Sequence, residues 1–150
     1  MKANPILRFI ATSLYAGYIP IAPGTFGSIL AIPLIILLSK NTNIYFIVTI
    51  AISIIGVIAA YHLGKVWHKK DDQRITIDEF AGMMVTLLFI KTTWWILIIG
   101  FILFRFFDII KPLFIRSVER APGGYGVMLD DIVSGIFANL CLRLILLIVR

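Results

Sequence analysis

From Ile44 to Leu63 no residue carries a formal charge, and the run is long enough for one membrane-spanning helix. Such a run limits the fold sharply. In lipid every backbone N–H and C=O must be satisfied within the protein, which leaves helices or closed barrels. A second run, Ile132–Val149, is interrupted only by Arg143, whose apolar stem can carry its guanidinium to the far interface. The whole chain is 60% hydrophobic, with a mean hydropathy of +0.99. A soluble domain is about 45–50% apolar, so lipid is the expected surrounding.

Three further segments are shorter or more polar. Phe26–Ser39 contains Pro33, Ile77–Ile90 opens on an acidic pair, and Trp94–Ile110 ends with Arg105 and Asp108. The polar breaks Lys40–Asn43 and Lys91–Thr93 suit tight hairpins between antiparallel helices. Trp94 and Trp95 suit an interfacial aromatic belt. Residues 6–18 and Leu113–Arg120 have the character of interfacial amphipathic helices. The predicted fold is all-α. It is a polytopic membrane helix bundle of about four to five hydrophobic segments plus short interfacial helices, in one domain covering residues 1–150.

Charge then orients the bundle. If all five segments cross, residues 1–25, 64–76 and 111–131 share one side. That side carries Lys2, Arg8, Lys65, Lys69, Lys70, Arg74, Lys111, Arg116 and Arg120. The other side has Lys40, Lys91 and Arg150, with Arg143 close by. The positive-inside bias makes the first side cytoplasmic. The net charge of +6 is spread between apolar runs, so anionic lipid headgroups rather than nucleic acid are the expected partner. Cys141 is the single cysteine and lies in an apolar run, which leaves neither a disulfide framework nor a thiol metal site. Residues 1–18 lack the apolar core and cleavage site of a signal peptide, so none is expected.

Five carboxylates fall in or beside these apolar stretches: Asp78 and Glu79, Asp108, and Asp130 and Asp131. Carboxylates near hydrocarbon are costly and mark functional sites. On the expected topology all of them reach the cytoplasmic face, where three clusters of hard oxygens can cage a divalent cation. Each cluster also has a plainer reading. Thr76-Ile77-Asp78-Glu79 can be a helix cap, with Thr76 as N-cap and both acids favoured by the macrodipole. Adjacent helical side chains diverge by about 100°, so both acids need not reach one ion. Asp108 lies three residues from both Arg105 and Lys111, on one helical face. That trio is either a neutralised helix end stopped by Pro112 or a metal ligand flanked by phosphate-binding cations. Asp130 and Asp131 follow the turn-like Gly123-Gly124-Tyr125-Gly126, a place where capping seldom calls for two adjacent acids.

Before the first span, backbone N–H groups at Gly24 and Thr25, with the hydroxyls of Thr25 and Ser28, suit an anion such as phosphate at a helix start. A plain turn into a membrane helix uses the same residues. No Gly-Lys-Ser/Thr follows, so this is not a Walker loop. His62 and His68 read as interfacial rather than as ligands. Cysteine phosphatase chemistry needs a thiolate beside a cationic loop, and Cys141 has none in sequence. The Ser-Gly-His pattern of histidine lipid phosphatases is absent, as is the Asp-Gly-x-x-Ala-Arg of headgroup transferases. The remaining chemistry is water activated by a carboxylate-held metal.

Four motifs carry a resemblance. They are Ala22-Pro23-Gly24-Thr25-Phe26-Gly27-Ser28, Asp78-Glu79-Phe80, Phe104-Arg105-Phe106-Phe107-Asp108-Ile109-Ile110-Lys111-Pro112, and the stretch from Gly124 through Asp130-Asp131 to Gly135. In this order they resemble the phosphatidylglycerophosphatase A family. The resemblance implies an all-helical, magnesium-dependent enzyme of the bacterial inner membrane, with its active site facing the cytoplasm. It would hydrolyse phosphatidylglycerophosphate to phosphatidylglycerol and phosphate. Asp78, Glu79, Asp108, Asp130 and Asp131 would hold Mg²⁺, and Asp131 or Glu79 would serve as base. Arg105, Lys111, Gly24, Thr25 and Ser28 would bind substrate. Two rivals stand beside this reading. A small transport or ion-coupling protein could use the same acids, and an enzyme acting on another phosphate ester would share the chemistry.

Overall fold

The computed structural model describes residues 4–69, 72–112 and 123–149, and the regular structure within them is all helical. The helices are α1 (Pro5–Ala11), α2 (Pro23–Leu38), α3 (Thr42–Val66), α4 (Ile77–Leu87), α5 (Trp94–Ile110) and α6 (Gly124–Ile148), with a 3-10 turn at Ala16–Tyr18. Among the described residues, α3 and α6 are long and apolar enough to cross a membrane. The expected segment Leu113–Arg120 lies outside the described residues.

The sequence explains most helix ends. Asn41 begins α3 by accepting the Ile44 N–H on its side chain at 3.2 Å. Lys111 closes α5 in the left-handed region, φ +43°, one residue before Pro112. Residues 6–18, however, are not one helix. The Thr12 hydroxyl donates to the Arg8 carbonyl at 2.8 Å and accepts the Tyr15 N–H at 3.2 Å. These local bonds replace helical ones, and Ser13, Leu14 and Tyr15 all turn to positive φ. At the other extreme, α6 starts at Gly124, so the glycine-rich stretch is helix rather than turn. Asp130 and Asp131 therefore sit in the second turn, beyond the reach of capping.

Helix α4 is the inner element. Its own Met83, Met84 and Leu87 are fully buried, and Phe104 and Leu142 from the neighbouring helices are fully buried in the same core. Its 11 residues span only about 16 Å, half of a hydrocarbon core of about 30 Å. The expected segment Ile77–Ile90 is thus cut short, and it does not cross by itself. Its free carbonyls are met by side chains of α6. The Asn139 amide donates to the carbonyls of Val85 (3.3 Å), Thr86 (2.9 Å) and Leu88 (2.9 Å). Arg143 donates from Nη2 to the Leu88 and Phe89 carbonyls and from Nε to Asn139. Tyr45 of α3 adds a hydroxyl to the Met84 carbonyl at 2.7 Å. These donors do the work of water where water is scarce.

Small residues let α4 and α6 touch. A Cβ on Gly135 would lie 2.4 Å from the Gly82 carbonyl oxygen, and one on Gly82 would lie 2.7 Å from the Asp131 carbonyl oxygen. Nothing larger than hydrogen fits there without moving a backbone.

Candidate metal centre

Three helix ends deliver the five carboxylates to one place. Asp78 and Glu79 lie in the first turn of α4, Asp108 in the last turn of α5, and Asp130 and Asp131 in the second turn of α6. The Gly82–Gly135 contact sets their spacing. Each glycine stands four residues after an acid, Asp78 on α4 and Asp131 on α6. Residues four apart share a helical face, so a crossing at the glycines brings the two acids together one turn away. Asp78, Glu79 and Asp131 each offer an oxygen, and these lie within 4.8 Å of one another. Glu79 and Asp131 are both electrostatic neighbours of Asp108.

Burial is deep. Asp78 is 7% exposed, and Asp130 and Asp131 are each 3% exposed. Asp78 Oδ1, Glu79 Oε2 and Asp131 Oδ2 have no hydrogen-bond partner among the described residues. A buried carboxylate oxygen without a donor is expensive. The same three residues each bring a carboxylate oxygen to within 4.8 Å of the others, and such a set from two helices fits a hard divalent cation. The plain helix-cap reading fits less well, because Thr76 occupies the cap position without a side-chain cap bond and its buried hydroxyl has no partner among the described residues.

Among the described residues, two cations reach the cluster. Arg105 pairs with Asp108 inside α5. Lys111 does not share that face. The helix ends at Ile110, and the left-handed turn at Lys111 swings its ammonium across to Asp130 on α6. Burial works against the Lys111 charge, but the hydrogen bond and ion pair to Asp130 outweigh it and hold the lysine protonated. Asp130 and Asp131 thus divide their work, one facing Lys111 and the other facing α4. Among the described residues, five carboxylates face two cations, a balance that again suits a metal ion.

The start of α2 forms the roof. A Cβ on Gly24 would sit 2.1 Å from Glu79 Oε1, and one on Gly27 would sit 2.8 Å from the Thr76 carbonyl oxygen. Glycine at both positions lets α2 lie directly on the first turn of α4. Thr25 is half-buried beside it, with its N–H already donated to the Ala22 carbonyl at 3.0 Å. The Ser28 hydroxyl is fully buried and donates within α2 to the Gly24 carbonyl at 2.9 Å. His62 is exposed and packs on the Tyr61 ring; it is not among the residues of the carboxylate triad, nor is His68. Cys141 is a free thiol in α6.

Sequence reasoning missed Asn139, Tyr45 and the Gly82–Gly135 contact. The glycine pair was detectable, since both helices carry an acid followed four residues later by glycine. Asn139 also left a signal, as a lone amide within an apolar run.

An all-helical, strongly apolar chain with two helices long enough to cross a bilayer and a buried carboxylate cluster at one end has the build of a membrane protein. The family model described as phosphatidylglycerophosphatase A matches residues 9–146, and the chain belongs to that family. Phosphatidylglycerophosphatase A of Escherichia coli K12 is 37% identical over 141 residues, covering 92% of this chain and 82% of that protein. The Haemophilus influenzae protein of the same name is 36% identical, covering 90% of this chain and 85% of its own length. A Bacteroides thetaiotaomicron protein, whose name provisionally assigns phosphatidylinositol-3-phosphatase activity, is 35% identical over 89% of this chain and 88% of its own. No solved structure matches the chain.

Proposed function

We propose that this chain is a magnesium-dependent membrane phosphatase that converts phosphatidylglycerophosphate to phosphatidylglycerol and inorganic phosphate. Family membership supports the substrate. The observation that carries the chemistry is the meeting of Asp78, Glu79 and Asp131 oxygens within 4.8 Å. These three, with Asp108 beside them, would hold the ion. When bound, magnesium supplies positive charge to the phosphoryl oxygens and acidifies a water molecule.

The protein's own groups do the rest. Arg105 and Lys111 stand at the edge of the cluster and neutralise charge developing on the phosphate. Each is also held by a carboxylate, Asp108 or Asp130, so neither needs to reorganise when substrate arrives. The backbone at Gly24 and the half-buried Thr25 lie over Glu79 and suit a phosphate oxygen. Asp131 or Glu79, whichever oxygen is not engaged by the ion, accepts the proton of the attacking water. The acyl chains stay against the apolar faces of the helices.

The site belongs at the cytoplasmic face of the bacterial inner membrane, by the lysine and arginine bias. We read the chain as crossing more than twice, with α2 and α5 completing the bundle around the shorter α4. A transport or ion-coupling role would want carboxylates along a through-path. Their grouping at one end of the helices favours hydrolysis. The name of the Bacteroides relative keeps a second lipid phosphate ester in view.

The test uses purified protein with short-chain phosphatidylglycerophosphate and, in parallel, phosphatidylinositol 3-phosphate. Phosphate release from the first should need magnesium and stop with EDTA. Release from the second alone would move the substrate assignment. Release from neither, with cation flux in vesicles, would favour the transport reading.

A further inference from the structure

The end of the bundle opposite the carboxylates holds cations with no aspartate or glutamate to match them among the described residues. No aspartate or glutamate occurs before residue 71, between 80 and 107, or after 131. Lys40, Lys91 and Arg143 gather at that end, and none of them takes part in an ion pair among the described residues. Unmatched charge beside hydrocarbon is costly.

The shortness of α4 creates a recess there. The helix stops at Leu87, while α6 continues to Ile148. Phe89 follows in the left-handed region, φ +61°, and its side chain is turned outward. Two cavities open beside this turn. One, of about 350 Å³, is lined by Phe89, Ile90, Lys91, Arg143, Leu146 and Leu147. The other, of about 400 Å³, shares Ile90, Lys91 and Leu146 and adds Trp95 and Ile96. Lys91 therefore stands between two apolar-walled spaces.

Arg143 is held in place. Its Nε and Nη2 are fixed by Asn139 and by the Leu88 and Phe89 carbonyls. Its Nη1 bonds nothing among the described residues. A fixed guanidinium with a spare donor and a free ammonium line the same recess. That arrangement suits a phosphate oxygen. The apolar walls suit the upper acyl chain attached to it.

We propose that this recess binds the phosphate of an anionic phospholipid in the leaflet opposite the carboxylate centre. Lys91 and the Arg143 Nη1 contact the phosphate, and Leu146, Leu147 and Trp95 contact the chain. A zwitterionic lipid is disfavoured, because no aspartate or glutamate among the described residues stands near to receive its ammonium. The site is separate from any hydrolytic one, and its test does not read phosphate release.

The test uses Trp67→Phe protein, in which Trp94 and Trp95 at this end are the only remaining indoles. The protein is placed in phosphatidylcholine nanodiscs containing a minor fraction of chain-brominated lipid. Brominated phosphatidylglycerol should quench the fluorescence more than brominated phosphatidylcholine, with an enrichment of about fivefold for each cation engaged. Lys91→Gln should reduce that preference and Lys91→Arg should keep it. Lys65→Gln, at the other end, should leave it intact. Equal quenching by the two lipids in the parent, or an unchanged preference in Lys91→Gln, would overturn the proposal.

Discussion

Gly82 and Gly135 meet backbone to backbone, and their contact decides where Asp78 and Asp131 stand. Replacing Gly135 with alanine would place a carbon 2.4 Å from the Gly82 carbonyl oxygen. Backbone cannot yield as a side-chain tip can, so the helices must separate. Overpacking of this kind costs about 1–3 kcal/mol. Gly135→Ala should lower the thermal midpoint in detergent and reduce phosphatase activity more than its stability loss explains. Full activity at a lowered midpoint would mean that helix spacing does not set the carboxylate geometry.

Gly24 offers a cleaner separation of activity from folding. Its hypothetical Cβ meets the far end of the Glu79 side chain, 2.1 Å from Oε1. Gly24→Ala should therefore displace the Glu79 carboxylate while α2 stays docked. Activity should fall and the magnesium requirement should rise, with little change in thermal midpoint. Shortening the displaced chain should make room, so the double variant Gly24→Ala, Glu79→Asp should be more active than Gly24→Ala alone. No recovery, together with a lost fold, would place the glycine's role in packing.

The outer shape of the bundle was largely legible in the chain. Trp94–Ile110 was readable to the residue as α5, because its apolar run ends at Lys111-Pro112. The uncharged run Ile44–Leu63 grew by two or three residues at each end into α3, where Asn41 supplies the cap. What ends α4 was not legible. Leu88-Phe89-Ile90 is as apolar as the helix before it, and the donors that terminate it lie 51 to 55 residues away. The same limit applies to Lys111. Spacing alone puts it on the face of Asp108, and only the left-handed turn after Ile110 redirects it to Asp130. The meeting of acids on α4 and α6 was half visible, through the paired acid-to-glycine spacing. Which of Asp130 and Asp131 faces inward depended on the crossing itself.

Asn139 is expected to matter for stability first. Asn139→Leu would remove donors to the Val85, Thr86 and Leu88 carbonyls while adding apolar volume. Unpaired buried acceptors cost about 1–3 kcal/mol, with bifurcated bonds at the low end. A fall in the urea or heat midpoint should accompany faster hydrogen exchange at the α4 C-terminus. An unchanged midpoint would show that lipid or water reaches those carbonyls.

Outside the helices, Asp72 and Arg74 give a pH signature of their own. Arg74 donates to Asp72 from Nε at 2.7 Å and from Nη2 at 3.0 Å, and lies 4.0 Å from the Trp67 ring centre. The arginine's hydrogen bonds hold the Asp72 carboxyl below its ordinary value of 3.8. A lowered folded-state pKa stabilises the fold above the unfolded value, and that stability is lost as pH falls through the folded one. Because the Arg74 side chain is 39% exposed, screening keeps the contribution within about 1 kcal/mol. Wild type should exceed Asp72→Asn in thermal midpoint at neutral pH. The gap should close as pH falls below 3.8. A gap that widened in acid would reverse the sign of this pairing.

Metal occupancy can be tested without turnover. A ligand that binds only the folded state stabilises it by about 2.7 kcal/mol at one hundred times its dissociation constant. For a chain of this size that raises the midpoint by about 5 °C or more. Magnesium should do so in wild type, and EDTA should reverse it. Asp131→Asn removes one of three converging oxygens, so the shift should shrink while phosphate release drops by about 100-fold or more. Without magnesium the same variant should be at least as stable as wild type, because it relieves repulsion among buried carboxylates. A variant that lost activity but kept the full magnesium shift would move Asp131 from ion binding to proton transfer.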